Sequence, residues 1–180
     1  NVIYNIDVNV SEAYYGLPGK LNVVLPSGVK NEYFNVTVNG KPYTASIKEG
    51  LTFSDWKVGE NTITASYEEE GAFPYKNVTK TISVKPKIQK SNDDAIYNST
   101  EAVYLILPDD ATGKLTVSDG DYTIDEITVK GGRNAWIPSE GISLGLNTLK
   151  FSYEGNYGVE DEWISFNVIP NIQYPRFMYS

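Results

Sequence analysis

Apolar and polar positions alternate along most of this chain. Leu21, Val23 and Leu25 recur at every second place, as do Ile63, Ala65 and Tyr67 between Thr62, Thr64 and Ser66. Leu149, Phe151 and Tyr153 alternate with Thr148, Lys150 and Ser152, and Ile164, Phe166 and Val168 with Ser165 and Asn167. A period of two buries one face of a strand and wets the other. No stretch sustains an apolar period near 3.6, so no long helix is predicted. Asn39-Gly40 and Asp119-Gly120 each stand between two alternating runs and predict hairpins with glycine at positive φ. The pattern predicts antiparallel sheets packed face to face.

The pattern also recurs. Ser11-Glu12-Ala13-Tyr14-Tyr15 is echoed by Thr100-Glu101-Ala102-Val103-Tyr104, and Gly19-Lys20-Leu21-Asn22-Val23 by Gly113-Lys114-Leu115-Thr116-Val117. Val36-Thr37-Val38 and Gly40 return as Ile127-Thr128-Val129 and Gly131, and Glu49-Gly50-Leu51 returns as Glu140-Gly141-Ile142. Gly59-Glu60-Asn61-Thr62-Ile63 returns as Gly145-Leu146-Asn147-Thr148-Leu149, and Pro86-Lys87-Ile88-Gln89 as Pro170-Asn171-Ile172-Gln173. The expectation is one module of about 85–90 residues written twice, with six or seven short strands per copy. The fold class is therefore all-β: two tandem immunoglobulin-like β-sandwich domains without a disulfide, over 1–86 and 87–173. Residues 174–180 are read as a tail or the start of a following module. Pro86 cannot continue a ladder, which places the boundary. The short connector lacks a Gly/Ser-rich stretch and predicts a semi-rigid pair.

Composition removes several chemistries. The chain of 180 residues has no cysteine and no histidine. No disulfide or thiolate is available, and the commonest general base and metal ligand are both missing. The net charge of −8 repels phosphate backbones and anionic lipid, so nucleic acid is not expected as a partner. No segment is long and apolar enough to enter a bilayer as a helix, and the first residues carry no signal-peptide pattern.

Leu107-Pro108-Asp109-Asp110-Ala111-Thr112-Gly113, running on to Thr116-Val117, resembles the "LP-x-DATG-x-x-TV" signature of bacterial and archaeal Ig-like repeats. Gly145 through Tyr157, with Tyr153-Glu154-Gly155-Asn156-Tyr157 at its end, resembles the closing motif of the same repeats. Such repeats are abundant in adhesin-like cell-surface proteins of methanogenic archaea. The first half lacks the Asp-Ala-Thr insertion, and its closing loop reads Glu68-Glu69-Glu70-Gly71-Ala72-Phe73-Pro74-Tyr75. The resemblance implies a secreted, cell-surface chain of sandwiches with no catalytic residues to transfer.

Candidate site residues are few. Phe73, Tyr75 and Tyr157 stand in closing loops, where rings can stack on sugars or anchor an interface. Trp56, Trp136 and Trp163 lie in or beside predicted strands and read as packing residues. Asp93-Asp94 and Asp109-Asp110 are candidate calcium ligands, since calcium takes six to eight hard oxygens. Asp119, Asp121, Asp125 and Glu126 cluster around one predicted turn. Asn9, Asn35, Asn77 and Asn98 each open an Asn-x-Ser/Thr glycosylation triplet. Glu12 with Glu101, and Glu49 with Glu140, are the recurring carboxylates a glycosidase pair would draw on. Lys20 and Lys114 recur at strand starts, where a Lys–Asn cross-link is one reading and a solvated edge lysine the other.

The sequence leaves three readings. The first is a non-catalytic tandem module of a secreted or cell-surface adhesin-like protein, acting as spacer, binding surface or both. Its partners would be a cell-surface protein or glycan, and further Ig-like modules of the same chain. The second is a carbohydrate-binding or accessory pair of a secreted enzyme. The third is a passive building block of a cell wall or S-layer.

Overall fold

The computed structural model describes residues 6–26, 28–30, 32–67 and 76–172, and the chain divides into two compact units, Asn1–Pro86 and Lys87–Ser180. Every named element is a strand. The 174–180 segment lies outside the described residues.

The first unit contains β1 (Asp7–Ser11), β2 (Gly19–Val24), β3 (Tyr33–Val38), β4 (Lys41–Ser46), β5 (Leu51–Phe53), β6 (Gly59–Tyr67) and β7 (Lys76–Val84). One sheet runs β1-β2-β5 and the other β4-β3-β6-β7. The β3–β4 hairpin turns on Asn39 (φ 51) and Gly40 (φ 84), both in the left-handed region, so its turn matches the twist of the strands it joins. Alternation places Val8, Leu21, Val23 and Phe53 of the first sheet against Phe34, Val36, Ile63, Ala65 and Val84 of the second. Full burial of side chains of this size stabilises by about 1.5–3 kcal/mol each. Lys80 shares the register of Val78 and Ile82, yet its Nζ donates to the Val8 carbonyl at 3.0 Å. Its stem thus spans from one sheet to the other at the β7 edge.

The second unit contains β8 (Gln89–Lys90), β9 (Asp94–Ile96), β10 (Val103–Ser118), β11 (Thr123–Trp136), β12 (Gly145–Gly155) and β13 (Glu162–Ile169). Two of these strands are long because each serves both layers. The first part of β10 pairs with β8 and with Gly132–Trp136 of β11. Its second part pairs with Thr123–Lys130 of β11 and with β12. The register shifts between Leu107 and Thr112, where the chain turns the corner from one sheet to the next. β13 completes the second layer beside β12, and β9 lies parallel along the end of β13. Trp136, Phe151 and Phe166 form the centre of this core, with ring centroids 5.3 and 5.8 Å from Trp136 in edge-to-face contact.

Hydrogen bonds fix the equivalence of the two frames. Tyr15 N donates to Lys85 O and Tyr97 N to Ile169 O; Leu17 N donates to Tyr14 O and Ser99 N to Ile96 O. Gly16 (φ 76) and Asn98 (φ 59) both occupy the left-handed region between them. Asp94-Ala95-Ile96-Tyr97 is therefore the counterpart of Glu12-Ala13-Tyr14-Tyr15, and Val103–Pro108 of Leu21–Pro26. This corrects the sequence alignment at four places, one of them Glu49–Leu51, which leads into β5 and answers to the end of β11, whereas Glu140–Ile142 lies between β11 and β12. Gly19–Val23 is the second strand of its sandwich, whereas Gly113–Val117 is the third strand of the other. Val36–Val38 belongs to the third strand, and Ile127–Val129 to the strand that follows it. Thr100–Tyr104 leads into the second strand of its own sandwich rather than matching Ser11–Tyr15. The match of Asn61–Tyr67 to Asn147–Tyr153 stands, because both pair with the third and last strands of their units. The protein is all-β and consists of two tandem immunoglobulin-like β-sandwiches, with no cysteine to bridge either.

Candidate functional site

The corner of β10 is held by the turn that follows β12. Asp110 accepts a short hydrogen bond from the Tyr157 hydroxyl, and its carbonyl accepts from Asn156 Nδ2 at 3.0 Å. Thr112 N donates to Asn156 Oδ1 at 2.9 Å, and the Tyr153 hydroxyl donates to the Thr112 carbonyl at 2.8 Å. Gly155 has no side chain because a Cβ there would lie 2.1 Å from the Thr112 oxygen and 2.3 Å from the Tyr153 hydroxyl. The two motifs that carry the family resemblance are thus the two halves of one clasp. Tyr157, expected as a ligand-contact ring, is half-buried against the core and bonded to Asp110, one of the expected calcium ligands.

Of the other expected calcium ligands, Asp93 and Asp94 are engaged by neighbouring strands. Asp93 pairs with Lys90 at 2.6 Å, which holds its carboxyl below the ordinary value, and its carbonyl accepts from Asn167 N. Asp94 Oδ1 accepts from Asn167 Nδ2 at 3.2 Å. The backbone of Asp109 packs against Gly131. Asp93 and Asp94 thus lie at β9, beside the end of β13, while Asp109 and Asp110 lie at the β10 corner. Among the described residues no group of three or more acidic side chains is placed to hold a metal ion.

Phe73 and Tyr75 lie outside the described residues. Asn9, Asn35, Asn77 and Asn98 are all exposed. Asn35 accepts from the Thr44 hydroxyl at 3.0 Å, and Asn98 N donates to the Pro138 carbonyl. Glu101 lies half-buried and pairs through both oxygens with Arg133, whose guanidinium also stacks 4.4 Å over the Tyr104 ring. That pairing lowers the Glu101 carboxyl and raises Arg133. Glu12 sits at φ 55 just beyond β1, so the two glutamates are not counterparts. Lys114 stands between Glu126 (3.3 Å) and Glu154 (3.6 Å), which raise its ammonium, while Lys20 is exposed on β2.

The outer faces of the two larger sheets differ in chemistry. On the first unit the outward positions are Asn35 and Thr37 of β3, Pro42 and Thr44 of β4, Thr62, Thr64 and Ser66 of β6, and Asn77, Thr79 and Thr81 of β7. Glu60 of β6 and Tyr33 of β3 share this outward parity, so the face carries a carboxylate and an exposed ring at its ends and hydroxyls and amides between them, and Thr64 and Thr79 join by a hydroxyl–hydroxyl bond of 3.1 Å. A shallow groove of about 400 Å³ crosses this face between Pro42 and Ser66. On the second unit the same face carries Lys114 between its two glutamates, and Lys150 paired with Asp161 at 3.5 Å.

This second face also holds the residue that the sequence reading misplaced. Trp56 and Trp136 are 3 % and 1 % exposed and are core residues, whereas Trp163 is 56 % exposed. Trp163 occupies an outward position of β13, in the cross-strand row Ser118–Lys150–Trp163. The signal was present in the alternation: Ile164, Phe166 and Val168 claim the inward face, which forces Trp163 outward. Nearby, Tyr122 in the β10–β11 turn is 76 % exposed.

No protein-family model and no curated protein matches the chain. Among solved structures, the fibronectin(III)-like modules of Clostridium thermocellum CbhA align over 96 % of this chain and 100 % of theirs, at TM-score 0.35 and 8 % identity. A BSP domain of a biofilm-associated protein aligns over 93 % of this chain and 30 % of its own, at TM-score 0.32 and 15 % identity. Both scores are low, and the fold assignment rests on the strand pairing.

Proposed function

We propose that this chain is a non-catalytic tandem module of a secreted or cell-surface adhesin-like protein, serving as spacer and contact surface. The observation that carries this reading is one strand frame used twice with unlike outer faces. Each unit buries its own apolar cluster, so the frame supplies shape and stiffness. The exposed rows then diverge, hydroxyl- and amide-lined on one unit and charged with a tryptophan on the other. Outer faces that differ on a shared strand frame are what contact surfaces on a common scaffold require.

The clasp at the β10 corner supplies stiffness of the kind a spacer needs. Hydrogen bonds from Tyr153, Asn156 and Tyr157 replace a disulfide as the staple of the second sandwich, and they do not depend on an oxidising compartment. The test is display on the cell. Antibody raised against residues 1–180 should label intact cells that express the full-length protein, and external protease should remove the label. Labelling that appears only after lysis would overturn the proposal.

A further inference from the structure

We infer that the Trp163 end of the second unit is a carbohydrate-stacking platform that takes one pyranose ring of a neutral glycan chain. Trp163 is the third tryptophan of the chain and the one that the fold leaves open, at 56 % exposure. Its ring is seated rather than free. The far edge of the indole lies over Gly120, where a Cβ would stand 3.0 Å from the ring. Gly120 also has φ +106, so the turn needs glycine for its backbone as well as for the space beneath the ring. The turn itself is held from within: Asp119 Oδ1 accepts from Asp121 N at 2.9 Å and from Tyr122 N at 2.8 Å. A ring braced at its edge by a held turn and still 56 % exposed has less conformational entropy to lose on binding than a free side chain.

The surroundings select the ligand. Trp163 is flanked in its cross-strand row by Lys150 and Ser118, and Lys150 is paired with Asp161. The next outward positions of β13 and β12 are Ser165 and Thr148, joined by a 2.7 Å hydroxyl–hydroxyl bond. Trp163, with Tyr122 in the turn nearby and Leu146 farther along β12, stands among an ammonium, a carboxylate and hydroxyls rather than in a closed apolar patch of the kind that centres a protein interface. It matches a pyranose, which offers one face of C–H groups and a rim of hydroxyls that both donate and accept. An anionic glycan would meet the net charge of −8, which leaves neutral glycans as the class.

Fluorescence reads this site selectively, because Trp56 and Trp136 are buried and acrylamide reaches Trp163. The intact chain should be titrated with hexaoses of β-1,4-glucose, β-1,4-mannose and α-1,4-glucose up to about 10 mM, above the millimolar Kd of a single stacked ring. At least one should protect Trp163 from acrylamide. Calorimetric titration of Trp163→Ala with that hexaose should show at least about a tenfold loss of affinity, and Trp163→Phe a smaller loss. Unchanged circular dichroism would show that both variants fold. Protection by none of the three sugars, or equal binding by Trp163→Ala, overturns the inference. Either result leaves the cell-labelling test of the surface-module reading independent.

Discussion

Replacing Phe151 with alanine should destabilise one sandwich and spare the other. Phe151 is fully buried on β12 and meets Trp136 edge to face at 5.3 Å, and Phe166 closes the triangle at 6.4 Å from it. Removing a phenyl ring from such a site costs about 3–5 kcal/mol, because the lost transfer energy is joined by a cavity that three close-packed strands cannot close. A domain of this size is stable by about 5–14 kcal/mol in total. The loss is therefore about a fifth or more of what holds the second unit, and its melting temperature should fall by at least about 12 °C. The counterpart of Phe151 in the first unit is Ala65, which packs in a different cluster. Differential scanning calorimetry of the intact chain should show two endotherms, of which the variant moves one. If both transitions shift together, or neither does, the assignment of separate cores is refuted.

Other substitutions separate hydrogen bonding from packing. Trp136 Nε1 donates to Asp125 at 2.8 Å, whereas buried Trp56 Nε1 finds no acceptor among the described residues. In urea unfolding, Trp136→Phe should therefore cost at least about 1.5 kcal/mol more than Trp56→Phe, and equal costs would refute the distinction. Tyr153→Phe removes the donor to the Thr112 carbonyl and should destabilise the second unit by about 1–3 kcal/mol, with faster amide exchange at the β10 corner. For the Glu101–Arg133 pair the sign follows from a carboxyl held below its ordinary 4.5. Its stabilisation is present above that pH and is lost as pH falls through the lowered value. Glu101→Gln should thus cost at most about 1 kcal/mol at pH 7, since the guanidinium is half-exposed, and the difference from wild type should shrink as the pH falls through the lowered value.

Strand positions were legible because burial follows parity: Leu149, Phe151 and Tyr153 face inward as their alternation requires. The Gly-x-Asn recurrence also carried a physical cause. Asn61 Nδ2 bonds the carbonyls of Lys57 and Gly59, and Asn147 Nδ2 those of Ser143 and Gly145, so each asparagine satisfies the loop that opens its strand. Identity misled where it was short. Gly-Lys-Leu-x-Val suits any half-buried strand, so the same five-residue pattern serves the second strand of one sandwich and the third of the other. Core volume had also moved between strands: Phe34 and Ala65 on neighbouring strands of one unit are answered by Leu115 and Phe151 in the other. Core volume is redistributed among neighbouring strands rather than kept position by position, which hides the correspondence from residue matching. Candidate site residues were the least legible. Asp110 and Tyr157 looked available because each stands in a polar loop, and only the folded corner shows that they bond each other. Trp163 looked internal because tryptophan usually is, although its parity on β13 placed it outside.

The most direct measurement is on residues 87–180 expressed alone. If this sandwich keeps a private interior around Trp136, calorimetry should give one cooperative transition at a midpoint within a few degrees of that assigned to it in the intact chain, with the near-ultraviolet dichroism of a packed tryptophan. A fragment that lacks that dichroism, or melts without a cooperative transition, would contradict the account.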